Sequence, residues 1–111
     1  MTVLLISLPG YGLPTADTMG KVTSVRVVHS GVNGGKSAFQ IWFEDGTRDR
    51  WGCLALQSYI LVREDGLGVT PDSFKMIFSV ALAAQSTGKV LAVDSNGTDP
   101  CINANSAWMI N

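Results

Sequence analysis

Only one stretch of this chain repeats its apolar residues with the period of a helix, and start and stop signals bracket it. Phe74, Ile77, Phe78, Ala81 and Ala84 recur at three- and four-residue steps, which on a 3.6-residue turn gathers them on one face. Thr70 reads as the N-cap and Pro71 takes the first helical position, where its missing N–H costs nothing. Asp72 adds negative charge at the positive end of the helix dipole. Gly88 can adopt the left-handed conformation that ends a helix, so a helix is expected from Pro71 to Thr87. Lys89 then leads directly into Val90 to Val93, a short apolar strand.

The residues around that helix have strand character. Val22 to His29 carries four valines interspersed with Thr23, Ser24 and Arg26, a β-branched enrichment that favours extended chain. Phe39, Ile41 and Phe43 alternate with Gln40, Trp42 and Glu44, as a half-buried strand requires. Ser30 to Ser37 is rich in residues that tolerate positive φ, so these two strands are expected to form a hairpin. Asp45-Gly46 signals a second tight turn into Thr47 to Trp51, which would complete a three-stranded meander. Leu54 to Val62 is apolar without clean periodicity; a bent strand and a helical turn both fit, and it is read as strand. Ser95 to Ser106 reads as a turn-rich loop, with Ala107 to Ile110 closing the sheet.

Several strands, one helix, then two strands describe a mainly β chain with one helix. The order is compatible with a small OB-like Greek-key barrel whose helix plugs one end, and with an α+β sandwich. No repeat or long linker divides residues 1–111, so one domain is expected, with 1–19 as an apolar N-terminal arm or extra strand and 20–111 as the OB-like core.

Composition narrows the function. A hydrophobic fraction of 46% against 15% charged residues supplies a core and leaves a sparsely charged surface, which invites self-association. Eight Lys and Arg against nine Asp and Glu give no cation cluster of the kind that duplex nucleic acid or an anionic membrane needs. Val3 to Leu8 falls short of the roughly 20 residues of a membrane helix. No basic residue precedes Lys21 and Pro14-Thr15-Ala16 is a poor cleavage site, so the start reads as an arm or edge strand broken by Pro9, Gly10, Gly12 and Pro14. A trimmed export signal is the alternative. Cys53, Cys101 and His29 are too few for a four-ligand zinc site, and no metal or cofactor is expected. The residues alone leave two readings of the cysteines, free thiols in a cytoplasmic protein or one disulfide in an exported one.

Individual motifs carry little catalytic promise. Gly35-Lys36-Ser37 lacks the earlier glycine of a phosphate loop and leads into a strand where such a loop opens onto a helix. His29 titrates in the right range for acid or base work, but no nucleophile or metal motif gives it a partner. Asn96-Gly97-Thr98 matches a glycosylation triplet and equally an ordinary turn. Glu44, Asp45, Arg48, Asp49 and Arg50 lie between Trp42 and Trp51. Indole faces beside paired charges suit a sugar, whose CH groups stack while its hydroxyls take bidentate bonds; a solvated turn with tryptophans used in packing or subunit contact is the other reading.

Phe74, Ala81-Leu82, Thr87-Gly88 and Val90 to Val93, together with Gly20 to Val28 and the following His29-Ser30-Gly31, resemble the OB-fold B subunits of pentameric bacterial toxins, the subtilase cytotoxin type in particular, and a wider group of small exported bacterial proteins. The likeness covers about half the chain. It implies a six-stranded barrel, a ring of five subunits whose helices line a pore, and a disulfide, for which Cys53 and Cys101 occupy plausible positions. It thereby implies a secreted or periplasmic protein. In that family a glycan is bound by hydroxyl and acidic residues near the first strand and by an aromatic after the strand that follows the helix. By position the hydroxyl falls on Thr23, with Ser24 beside it, while the aromatic falls near Ser95, which departs from the pattern.

The resulting expectation is a non-enzymatic, homo-oligomeric binding module for a glycan or other small polar ligand, with no nucleic-acid partner and no membrane insertion. Thr23, Ser24, Glu44, Ser95 and Asn96 form one expected pocket, and Trp42, Arg48, Arg50 and Trp51 a second surface. The alternatives are a structural homo-oligomer that binds no sugar and a small enzyme using His29.

Overall fold

The fold is organised by one long strand, β1 (Thr18–Val28), which pairs along both of its edges. A computed structural model describes it together with the rest of residues 16–28, 35–95 and 99–110. The expected N-terminal arm up to residue 15, His29, the glycine-rich connection 30–34, and Asn96 with its triplet lie outside the described residues. Antiparallel to the second half of β1 runs β2 (Ala38–Phe43), in the register Val22↔Phe43 to Val28↔Ala38. The ladder skips at Thr23, between Val22 and Ser24, and such a bulge bends a strand. Beyond it, Thr18 to Lys21 pair with β5 (Val90–Ser95), which in turn pairs with β6 (Ala104–Ile110). The closing strand therefore starts three residues earlier than the expected Ala107.

The expected meander is corrected at its third strand. Residues 47–51 do not turn back along β2. Arg48–Asp49, here β3, pairs with Met19 and Thr18, so the chain continues along β1 in the direction of β2. Bonds from Glu44 N to Lys21 O and from Arg50 N to Asp17 O, each 2.9 Å, hold the chain to β1 on both sides of the Asp45-Gly46 turn. Gly46 supplies the positive φ of that turn, and the Thr47 hydroxyl closes it by donating to Glu44 O. The turn is an excursion from the ladder rather than a reversal.

The Leu54 to Val62 segment is corrected too, because it begins as a short helix, α1 (Cys53–Gln57). Both carboxylate oxygens of Asp49 accept 2.9 Å bonds, one from Cys53 N and one from Leu54 N, satisfying amides that a helix start leaves orphaned. Ser58 ends α1 in the left-handed region, and β4 (Tyr59–Arg63) then takes the free edge of β2.

The main helix, α2 (Pro71–Thr87), matches the expected limits. Thr70 Oγ1 accepts from Ser73 N while Thr70 N donates to Ser73 Oγ, a reciprocal capping box worth about 1 kcal/mol. Ile77, Ala81 and Ala84 are buried, the two alanines letting the helix lie close to the sheet. They meet Val22, Phe39, Ile41, Ile60, Val62, Leu91, Val93 and Ala104 in one core. Phe39 stands at its centre, its ring 5.3 Å from Phe74 and 5.0 Å from Phe78.

The protein is thus mainly β with one main helix: a six-stranded antiparallel sheet in the order β4-β2-β1-β5-β6, with β3 on β1. That order, with α2 between β4 and β5, is a partly open OB-like Greek key. The sheet is not closed, since β4 and β6 share no ladder among the described residues. A strap crosses the gap instead. Cys53 and Cys101 form a disulfide, and Cys101 O accepts from Leu61 N and from Gln57 Nε2. Among the described residues no helix is long and apolar enough to cross a membrane, and no three His, Cys, Asp or Glu side chains gather as a metal would require.

Candidate functional site

Because Phe39, Ile41, Ile60 and Val62 face the core, the alternate residues of β2 and β4 face outward. The registers then set Ser24, Trp42 and Tyr59 in one cross-strand row and Arg26, Gln40 and Leu61 in the next. The guanidinium carbon of Arg26 lies 4.0 Å from the centroid of the Trp42 ring, within cation–π range. Its Nε donates to Ser24 Oγ at 3.3 Å. On the far side of Trp42 the Tyr59 ring sits 5.5 Å away at 39°. The indole N–H donates to Gln40 Oε1 at 3.0 Å, which fixes the ring's orientation. The terminal nitrogens of Arg26 find no acceptor among the described residues.

This outer face is a platform of planar groups on rigid strands, with a forked donor on top and no carboxylate in either row. With Arg26 over one face of the indole and Tyr59 beside the other, the stack presents ring edges and the outer plane of the guanidinium, and the guanidinium fork offers paired bonds to hydroxyls or an anion.

The expected site residues are redistributed. Ser24 and Trp42, one from each expected group, meet on this face. Thr23 is exposed at the bulge, its carbonyl accepting from Gln85 Nε2 of α2. Ser95 lies beyond the Thr18↔Val93 pair, at the opposite end of β1, so roughly 17 Å of strand separates it from Thr23; the first pocket is not gathered. Glu44 lines a cleft of about 410 Å³ with Asp49, Leu54, Ser58 and Trp42, so it adjoins the outer face at Trp42.

Arg48, Arg50, Trp51 and Ser95 collect around Asp17, away from the Trp42 face. Asp17 Oδ2 accepts from Ser95 N at 3.1 Å and from Ser95 Oγ at 3.2 Å, and Arg50 Nη1 lies 3.5 Å from Oδ1. Asp17 N donates to Asp94 Oδ1, and Arg48 Nε to Ala16 O. Burial pushes the Asp17 carboxyl upward, but the Ser95 amide, the Trp51 and Ser95 side chains and Arg50 outweigh it and hold the carboxyl below its ordinary value. These groups latch the start of β1 to the end of β5, while the Arg50 side chain stays 56% exposed with its guanidinium carbon 4.7 Å from the centroid of the exposed Trp51 ring.

Sequence reasoning missed Arg26, Gln40, Tyr59 and Asp17. Arg26 and Gln40 were within reach, since each stands two residues from a named site residue and two-residue spacing means a shared face. Tyr59 was not, because its register depends on where α1 ends. No family model, no curated protein and no solved structure matches the chain.

Proposed function

We propose that this protein is a non-enzymatic binding module that assembles with copies of itself and recognises a glycan or other small polar ligand on the outer face of β1, β2 and β4. The observation that carries the reading is the Arg26–Trp42–Tyr59 stack, held by Gln40 and Ser24 with the guanidinium fork open to solvent. Trp42, Arg26 and Tyr59 are the residues we assign to contact, with Thr23 and Ser24 at the rim. The resemblance to toxin B subunits supports both the ligand class and a ring, in which weak single-site binding gains from multivalency. The disulfide is consistent with an oxidising compartment, and we place the protein in a secreted or periplasmic setting.

A screen of immobilised glycans with the wild type, Trp42→Ala and Arg26→Ala, alongside native mass spectrometry, tests this. Loss of about thirtyfold in affinity for Trp42→Ala, the scale of a buried aromatic anchor, with the assembly intact, is the expected result. Absence of any glycan signal above background, or binding that survives both substitutions, defeats it.

A structural homo-oligomer without a ligand is the second reading, and it too has a specific observation behind it. Leu56 is 77% exposed and shares a surface hollow with Trp51, Pro100 and Ile102 beside the disulfide, a patch suited to subunit contact. Trp51→Ala separates the two, since it alters assembly on this reading and leaves ligand binding unchanged on the first.

A further inference from the structure

The core wall of β1 and β2 runs past the end of α2's cover. Val27 pairs with Phe39 and shares its inward parity, yet it is 73% exposed, whereas Phe39 is buried. Between them and the first turns of α2 opens a crevice of about 350 Å³, floored by Val27, Ala38, Phe39, Phe74 and Phe78. That size lies within the range of small-molecule sites, which are mainly apolar with a few placed polar groups. Ser37, Ser79 and Lys75 stand at the rim, and Lys75 is the only charged residue among the described residues of the lining. It makes no ion pair among the described residues. The Ser79 hydroxyl donates back to Lys75 O within the helix, so it does not occupy the opening.

From this arrangement we infer a second ligand site, distinct from the Trp42 face, that takes a small amphiphile: a single apolar chain or ring in the crevice with one anionic head on the Lys75 ammonium. The three phenylalanines and Val27 give the tail an apolar bed on elements already fixed by the core. The Lys75 ammonium selects the sign of the head. Arg26, next to Val27 in sequence, points to the opposite face of the sheet and takes no part.

Titration of the uniformly 15N-labelled full chain with decanoate below its micelle concentration, followed by amide chemical shifts, tests the site. Saturable shifts at Val27, Phe39, Phe74, Phe78 and Ser79 are expected. Lys75→Gln is expected to weaken decanoate three- to fivefold, the scale of an exposed ion pair, while leaving the neutral analogue decanol within about twofold. Ser79→Trp, at an exposed helix position, is expected to fill the crevice and abolish binding with the remaining spectrum preserved; Val27→Asp provides a second block should that variant misfold. The inference is overturned by absence of saturation or by shifts centred on the Trp42 face. It is equally overturned if decanoate and decanol respond alike to Lys75→Gln, or if gel filtration shows a second copy filling the crevice and Ser79→Trp disperses it.

Discussion

Reducing the Cys53–Cys101 bridge is expected to remove about 4 kcal/mol of stability. The two cysteines are 48 residues apart, and closing a loop of that length in the unfolded chain costs about 14 cal/mol/K on the chain-entropy relation, or about 4 kcal/mol at 25 °C. A domain of this size holds about 5–15 kcal/mol in all, so the bridge accounts for a large share. Its loss also has a local signature. The strap hangs on Cys101 O, which accepts from Leu61 N and Gln57 Nε2, so freeing the strap exposes the Leu61 amide at the edge of β4. Urea unfolding of oxidised and reduced wild type at pH 7 keeps both sulfur atoms in place and isolates the cross-link. Hydrogen exchange at Leu61, faster in the reduced form relative to Phe39 and Ile41 in the middle of β2, reads the local effect. A difference below about 1 kcal/mol, or a Leu61 amide that exchanges in step with the centre of the sheet, refutes the reasoning.

Phe39→Ala removes the ring between Phe74 and Phe78 from a site that is 1% exposed, and a loss of about 3–5 kcal/mol is expected by thermal or urea unfolding. Asp17→Asn tests the latch across pH. A carboxyl held below its ordinary value stabilises the fold above its unfolded pKa and loses that contribution as pH falls through its folded value. The wild type is therefore expected to exceed the variant by a constant margin from pH 7 to 5, with the gap closing below about pH 4. Gly20→Ala drives a new methyl into the Thr47 side chain, whose hydroxyl closes the β2–β3 turn. A loss of about 1–3 kcal/mol is expected, largely recovered in the Gly20→Ala, Thr47→Gly double variant, as a double-mutant cycle measures.

What was legible in the sequence is what short-range chemistry decides. The limits of α2 follow from Thr70, Pro71 and Gly88, all within a turn of the ends they set. The faces of β2 follow from strict alternation, and Phe39 and Ile41 are buried as that alternation requires. The bridge was legible only through resemblance, because spacing alone leaves thiols and disulfide open. Where pairing across the sheet decides, reading along the chain misled. Thr47 to Trp51 has the look of a returning strand, but bonds to Asp17 and Lys21, far away in sequence, keep it on β1. Leu54 to Gln57 is apolar enough for a strand, but Asp49 caps its amides and turns it into helix. The site follows the same division. Ser24 and Trp42 could be named from residue type, whereas their union with Arg26 and Tyr59 needed the β1–β2–β4 register, which α1 and the Thr23 bulge both shift. Ser95 and the arginines were noticed for charge and hydroxyls, and folding puts Ser95 and Arg50 on Asp17 and Arg48 on the Ala16 carbonyl.

The most direct test of recognition at the β1–β2–β4 face is a side-by-side glycan-array measurement of wild type, Trp42→Ala and Trp51→Ala, each first shown to share the wild-type fold and assembly. Signals present in wild type and Trp51→Ala and absent in Trp42→Ala are the predicted result. Signals that persist in Trp42→Ala, or a wild type that binds nothing on the array, contradict it.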